Sequence, residues 1–107
     1  MLTTIRIKAN FYGISLICAH APTEDKDEQN KYMFYERLER EYDRCPDHDI
    51  KIVLGDFNAK IGKERIFGPT IEKFSLHDET SDNGMRLTDF AAAKNMAVTR
   101  STNKKPN

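Results

Sequence analysis

The sequence lacks a long apolar run, an excess of charge of either sign and more than two cysteines, and each absence excludes a class of protein. No apolar run approaches the roughly 20 residues of a membrane-spanning helix, so we expect no membrane partner. Seventeen bases balance seventeen acids, which is not typical of a strong autonomous DNA-binding domain. Two cysteines and no signal-peptide apolar core indicate reduced thiols in an intracellular protein, nuclear or cytoplasmic.

The length and composition favour one folded domain or part of one. The chain has 107 residues, of which 38% are apolar and 32% charged, and it shows no internal repeat or low-complexity run. A chain of this size can bury roughly 65% of its unfolded surface, which is enough for one modest core. We therefore predict that residues 1–107 form a single, partial domain. The basic C-terminal end, from Lys94 to Lys105, is interpreted either as a solvated tail or as a phosphate contact.

Apolar periodicity in the first half predicts two strands, a helix and a third strand. Residues 4–9 alternate and residues 14–20 are nearly all apolar, with a turn between them, which predicts an antiparallel hairpin. Helical spacing runs from Asp25, with Glu28 completing a capping box, to about Arg44, and Pro46 ends the helix. A further strand over 50–56 completes a βαβ-type unit.

The second half is predicted to contain a long loop, a helix and a short strand. The loop covers 59–81, "SDNG" caps a helix over 84–95, and "MAVTRS" at 96–101 forms the strand. We thus expect an α/β fold with a mixed sheet and two helices packed on one face. The expected core consists of Leu16, Ile17, Leu38, Ile52, Val53, Leu54, Leu87 and Phe90.

The stretch "VLGDFN" carries the residues best suited to chemistry. Side chains two apart on a strand share a face, so Asp56 and Asn58 are expected to project together from the carboxyl end of the third strand, where α/β folds bind ligands. Gly55 would let a substrate or a metal approach closely. A carboxylate can take a proton from water or bind a hard cation, and an amide can donate to a phosphoryl oxygen. The alternative is that both are ordinary turn-forming residues.

Three stretches, "ISLICAHAPTED", "VLGDFNAKIG" and "DNGMRLTDFAAAKNM", resemble the endonuclease/exonuclease/phosphatase superfamily, and within it the endonuclease domains of non-long-terminal-repeat retrotransposons. The resemblance implies a partial DNase I-like α/β sandwich that hydrolyses phosphodiesters of DNA with Mg²⁺ or Mn²⁺. It implies that Asp56 orients or deprotonates the attacking water and that Asn58 holds the scissile phosphate. Both residues would be the metal-site candidates.

Two further positions follow from the same resemblance. The superfamily usually has a tyrosine in "YAP", where this chain has His20 in "HAP". An imidazole can also donate to a phosphate, and it ionises near neutral pH, which a tyrosine does not. The alternative is a strand-end histidine that is hydrogen-bonded to a neighbouring loop. Thr23 matches a position where some relatives contact the substrate phosphate.

Two residues that the superfamily's chemistry requires have no counterpart in this sequence. They are a metal-binding glutamate on an earlier strand and a histidine on a late strand. We therefore expect a fragment of an ancestral nuclease that is inactive by itself. The alternative is a non-catalytic interaction module or the remnant of a mobile element. The sequence does not specify an oligomeric state.

Overall fold

A computed structural model describes residues 1–62 and 79–99 of the chain. The chain divides into two compact units, Met1–Asn58 and Ala59–Asn107, which are described separately below. The first unit contains β1 (Leu2–Lys8), β2 (Gly13–His20), α1 (Glu28–Arg44) and β3 (Ile50–Asp56), and the second contains α2 (Asp82–Ala93). The prediction of an α/β fold with a mixed sheet and two helices is confirmed. No helix in the described ranges is long and apolar enough to span a membrane.

The three strands form one mixed sheet in the order β1-β2-β3. β1 and β2 are antiparallel, with Lys8 opposite Gly13, as the predicted hairpin requires. β2 and β3 are parallel, from Ile14 opposite Ile50 to His20 opposite Asp56. A parallel pair needs a crossover connection, and α1 provides it, so the predicted βαβ unit is confirmed.

Helix α1 begins two residues later than the capping prediction placed it. The N-cap is Asp27, whose side chain accepts a 2.8 Å hydrogen bond from the Asn30 backbone N–H. Asp25 instead accepts a hydrogen bond from the Thr23 hydroxyl in the preceding turn, so it does not cap the helix. The helix ends at Arg44 with Cys45 as its C-cap, directly before Pro46, as predicted.

Helix α1 covers one face of the sheet. Along β2, Ser15, Ile17 and Ala19 are buried in alternation, as expected when side chains two apart share a face. Ile17 and Leu38 of α1 are both 0% exposed, so they form the centre of this core. Burial of such a pair contributes about 1.5–3 kcal/mol per side chain.

The opposite face of the sheet is apolar and remains exposed. We call it the open face, and its apolar side chains are those of Ile5 and Ile7 from β1, Ile14, Leu16 and Cys18 from β2, and Ile50, Ile52 and Leu54 from β3, with the polar Thr3 of β1 opposite Cys18. The prediction that Ile52 and Leu54 belong to the core is wrong, because they are 40% and 45% exposed. They alternate with Val53, which is half-buried on the face that α1 covers.

An ion pair with a buried carboxylate ties the residue just before β3 to the hairpin. The Asp49 carboxylate accepts hydrogen bonds from Arg6 Nε at 2.7 Å, Arg6 Nη2 at 2.9 Å and Ser15 Oγ at 2.7 Å. The Asp49 side chain is 0% exposed. The hydrogen bonds from Arg6 and Ser15 hold the pKa of the Asp49 carboxyl well below its usual value, although burial acts in the opposite direction.

The second unit is built around helix α2. Ser81 caps it by accepting a 3.0 Å hydrogen bond from the Gly84 backbone N–H, so "SDNG" is a helix start as predicted, although the helix begins at Asp82. Phe90 is buried, and Leu87 is half-buried. The predicted strand over 96–101 is not formed across 96–99, where Val98 makes only an isolated bridge. Most of the predicted loop, 63–78, and the basic residues beyond 99 lie outside the described residues.

Candidate functional site

His20 and Asp56 occupy adjacent positions at the carboxyl ends of two parallel strands. His20 ends β2, Asp56 ends β3, and the two are direct partners in the parallel register. Neighbouring strands lie about 4.8 Å apart, so the two backbones are close. Paired residues share a face, and this pair lies on the side of the open face, directly beyond Cys18 and Leu54. Both residues are exposed.

Gly55 allows β2 and β3 to approach each other closely immediately before this pair. A Cβ atom on Gly55 would lie 1.8 Å from the Ala19 carbonyl oxygen, and the φ angle of Gly55 is +149°. Side chains of L-residues rarely accept that backbone conformation. The sequence suggested that Gly55 makes room for a substrate or a metal. In the structure, the backbone of β2 occupies the position that a Cβ would need.

The chain turns sharply after Asp56, so the alternation of a strand does not continue to Asn58. The Asp56 Oδ1 atom accepts a 2.9 Å hydrogen bond from the Asn58 backbone N–H. Asn58 has a φ angle of +47°, in the left-handed region that asparagine tolerates better than most residues. These are the features of a turn, as the alternative interpretation of the pair proposed. The hydrogen bond from the Asn58 N–H uses one of roughly four acceptor positions of the Asp56 carboxylate.

Asn58 connects the two strand exits. Its Nδ2 atom donates a 2.9 Å hydrogen bond to the Ala21 carbonyl oxygen, and the Ala21 backbone N–H donates a 2.9 Å bond to the Asp56 carbonyl oxygen. The Phe57 ring lies edge-on to Phe34 of α1, with centroids 6.4 Å apart. The ring contact of Phe57 and the hydrogen bond of Asn58 therefore fix the chain directly after Asp56. The part played by Ala21 was missed in the sequence, because a backbone carbonyl leaves no signature there beyond its position in "HAP".

The hydrogen bonds that the structure shows for His20 are made by its backbone. The His20 N–H donates to the Met1 carbonyl oxygen at 3.0 Å, and the His20 carbonyl oxygen accepts from the Met1 ammonium group at 3.1 Å. Within the described residues, the expected alternative of an imidazole bonded to a neighbouring loop is not observed. His20 is exposed, and its partner in the strand register is Asp56.

Thr23 has a nearby partner of its own. Its hydroxyl donates to Asp25 Oδ1, and this bond lowers the pKa of the Asp25 carboxyl from its usual value. Both residues are exposed. A substrate phosphate that reached Thr23 would meet the negative charge of Asp25 next to it.

The donor set does not fit a hard divalent cation. Among the described residues, no group of three or more His, Cys, Asp and Glu side chains lies together in a way that could hold a metal ion. Mg²⁺ and similar ions take about six oxygen ligands, usually including one or two carboxylates. Asp56 supplies one carboxylate, and the Asn58 side chain, whose Nδ2 atom donates to Ala21, could add a single amide oxygen, which is far fewer than six oxygen ligands. We therefore assign no step to Mg²⁺ or Mn²⁺.

The chain is similar to craniofacial development protein 2. It is 29% identical over 105 residues to that protein from Bos taurus and, with the same identity and length, to that from Tragulus javanicus. The match covers 98% of this chain but only 17% and 18% of the two relatives, so the chain spans less than a fifth of their length. No protein-family model matches the chain. No solved structure matches it either.

Proposed function

We propose that this chain is the central part of a phosphodiester-hydrolysing domain of the endonuclease/exonuclease/phosphatase type, acting on DNA, and that it is inactive by itself. Three motifs support the superfamily, and the similarity to craniofacial development protein 2 extends along nearly the whole chain. The observation that carries the proposal is the pairing of exposed Asp56 with exposed His20 at the carboxyl ends of parallel strands.

Asp56, His20 and Asn58 have contacts that allow each of them a separate role in phosphodiester hydrolysis. Asp56 orients the attacking water and accepts its proton, since its carboxylate is exposed and its backbone is anchored. His20 donates to a phosphate oxygen. Asn58 positions the loop through its bond to Ala21. In the complete domain, the water oxygen would bond to phosphorus as the bond to the in-line leaving oxygen breaks, and the leaving oxygen would take up a proton from solvent.

The isolated chain should not cleave DNA. Positioning and charge stabilisation supply most of the rate of phosphoryl transfer, and one carboxylate with one imidazole provides little of either. We expect no nicking of supercoiled plasmid with Mg²⁺ or Mn²⁺, and no change on Asp56→Ala. Nicking by the purified chain that Asp56→Ala abolished would show that the chain is a complete catalyst and that the inactivity proposed here is wrong.

Binding can be tested without turnover. We propose titrating the ¹⁵N-labelled chain with a short duplex oligonucleotide at low salt, where phosphate contacts are strongest. The largest shift changes are expected at His20, Asp56 and Asn58. Asp56→Asn should tighten binding roughly two- to fivefold, because a carboxylate next to a phosphate repels it.

The matched control for this titration is Asp47→Asn. Asp47 is also an exposed carboxylate, but it precedes β3 at the other end of the sheet. Its replacement removes the same charge and should leave the affinity within error. If the two variants changed the affinity equally, the effect would be one of overall charge, and the proposed site would be refuted. Absence of shifts at His20 and Asp56 would also refute it.

A non-catalytic interaction module is the second candidate, and the open face favours it. Exposed apolar surface that is contiguous across three strands is typical of binding surfaces. The same titration separates the candidates. A phosphate-binding site produces shifts at the ends of β2 and β3, whereas an interaction module leaves those residues unchanged in the presence of DNA.

A further inference from the structure

Lys31 is a buried lysine on the face of α1 that packs against the sheet. It shares this face with Phe34 and Leu38, which are apolar and buried, and its own side chain is 6% exposed. Lysine is almost never buried to this extent unless it is paired, and an amphipathic helix ordinarily has an apolar residue at such a position. The chain keeps a charge where an apolar side chain would stabilise the core more, which indicates a role other than packing.

A partner of Lys31 lies in the loop that connects β2 to α1, residues 21–27, which we call the β2–α1 loop. Lys31 Nζ donates a 3.1 Å hydrogen bond to Glu24 Oε1. The Glu24 side chain is 45% exposed, so the carboxylate extends from the surface of the loop to an ammonium group buried against the helix. Solvent screens a pair with one buried partner less than it screens a surface pair.

A second connection holds the same loop at its other end. Ala21 is 3% exposed, its backbone N–H donates to the Asp56 carbonyl oxygen, and its carbonyl oxygen accepts from Asn58 Nδ2. Three residues of extended chain span roughly 10 Å, so the ion pair of Glu24 acts close to these hydrogen bonds. The β2–α1 loop is therefore fixed to β3 through Ala21 and to α1 through Glu24.

We propose that Lys31 is a positioning residue of the candidate site, and that it acts through Glu24 to hold the β2–α1 loop in the shape that keeps Ala21 against Asp56 and Asn58. This role rests on the proposed function, in which Asp56 and Asn58 act at the end of β3. Displacement of a catalytic group by about 1 Å can greatly reduce a reaction rate, so connections behind such groups matter as much as the groups themselves.

Hydrogen exchange of the Ala21 amide tests the positioning role without DNA. Lys31→Met removes the ammonium group but keeps an unbranched side chain of similar length in the core. We expect the Ala21 amide to exchange roughly tenfold faster or more, because the loop opens more often when Glu24 is released. The urea midpoint should not fall, since an apolar group replaces a buried charge and the half-exposed Glu24 remains hydrated. A residue that only stabilised the fold would change both measurements in the same direction.

Three further variants support this comparison. Lys26→Met removes the same charge from an exposed lysine of the β2–α1 loop, so it is the matched control and should leave Ala21 exchange unchanged. Lys31→Arg keeps the charge and the donors toward Glu24, so exchange should return to within about threefold of the wild type. Glu24→Gln removes the other partner of the pair, so its addition to Lys31→Met should accelerate exchange no further.

Titration with the duplex oligonucleotide at several salt concentrations tests whether the positioning affects binding. Lys31→Met should weaken binding more than Lys26→Met does. The slope of the logarithm of affinity against the logarithm of salt concentration should not change, because a positioning residue contacts no phosphate. A direct contact of Lys31 with a phosphate would instead reduce that slope by about 1.

Three results would overturn the proposal. The first is unchanged exchange of the Ala21 amide in Lys31→Met. The second is faster exchange at all amides of Lys31→Met together with a lower urea midpoint, which would show that Lys31 stabilises the fold as a whole. The third is the reduced salt slope, which would make Lys31 a phosphate contact. If the wild-type chain does not bind the duplex, the proposed function is wrong, whereas Ala21 exchange still decides whether Lys31 positions the loop.

Discussion

Replacing Gly55 by alanine should break the pairing of β2 and β3 directly beside the candidate site. The new Cβ would lie 1.8 Å from the Ala19 carbonyl oxygen, and real Cβ contacts essentially never fall under 3.0 Å. The backbones of β2 and β3 would have to separate by at least 1.2 Å, the difference between 3.0 Å and 1.8 Å. The obstructing atoms belong to the backbone of a buried strand, so no side-chain rotation can relieve the overlap.

The loss of stability can be estimated from two terms. A non-glycine residue in the backbone conformation of Gly55 costs roughly 1–3 kcal/mol. Opening the ladder loses one or two hydrogen bonds at about 0.5–1.5 kcal/mol each. The sum is about 1.5–6 kcal/mol, a large part of the 5–15 kcal/mol by which domains are usually stable. Urea unfolding followed by far-UV circular dichroism measures this loss, and the midpoint should fall by at least about 0.5 M.

Gly13→Ala is the matched control. A Cβ on Gly13 would meet the ends of the Arg6 and Asp49 side chains at 2.8 Å, so it would disturb their ion pair but would not clash with a strand backbone. We expect a clearly smaller loss of stability for Gly13→Ala. If Gly55→Ala unfolded within about 0.5 kcal/mol of the wild type, the close approach of β2 and β3 would not exist, and the geometry assigned to the candidate site would be wrong.

Three further perturbations test other parts of the structure. Hydrogen bonding lowers the pKa of Asp49, so its contribution to stability is complete above about pH 5 and is lost progressively as the pH falls from about 4 towards the lowered pKa. Asp49→Asn should therefore unfold at lower urea at neutral pH and show a shallower acid dependence. Leu38→Ala should cost about 2–5 kcal/mol in the same urea assay, because the side chain is fully buried, whereas Met33→Ala should cost under about 0.5 kcal/mol. Ser81→Ala removes the N-cap of α2 and should speed hydrogen exchange of the Gly84 amide roughly two- to thirtyfold, which corresponds to the usual cost of about 0.5–2 kcal/mol.

The elements of the fold were predictable because their signals are local. Alternation in β1, the apolar run of β2 and the helical spacing before Pro46 each depend on residues a few positions apart. The exact start of α1 was not predictable in the same way. Asp25 and Asp27 are both good caps by residue type, and only the structure shows that Asp27 accepts the Asn30 N–H while Asp25 accepts from the Thr23 hydroxyl.

The location of the candidate site in the sheet could be predicted from the sequence, but the orientation of its side chains could not. The position of Asp56 at a strand end follows from the apolar run that precedes it, and its neighbour His20 follows from the parallel pairing of a βαβ unit. The orientation of Asn58 does not follow, because it depends on a left-handed backbone and on a hydrogen bond to Ala21, 37 residues earlier. Long-range contacts of this kind leave no periodic pattern in a sequence.

The sequence by itself determined the positions of β1, β2, α1, β3 and α2, because backbone preferences, caps and apolar periods act within a few residues. It did not determine the end of the described chain, where the strand predicted over 96–101 is not formed across 96–99. Only the tertiary structure decided which apolar side chains are buried. Ile52 and Val53 are equally apolar in the sequence, but α1 lies on the side of Val53 and leaves Ile52 exposed. Burial depends on what covers a face, and a single helix after β2 can cover only one side of the sheet. The apolar content of β3 therefore exceeds what α1 can bury, and the excess forms the open face.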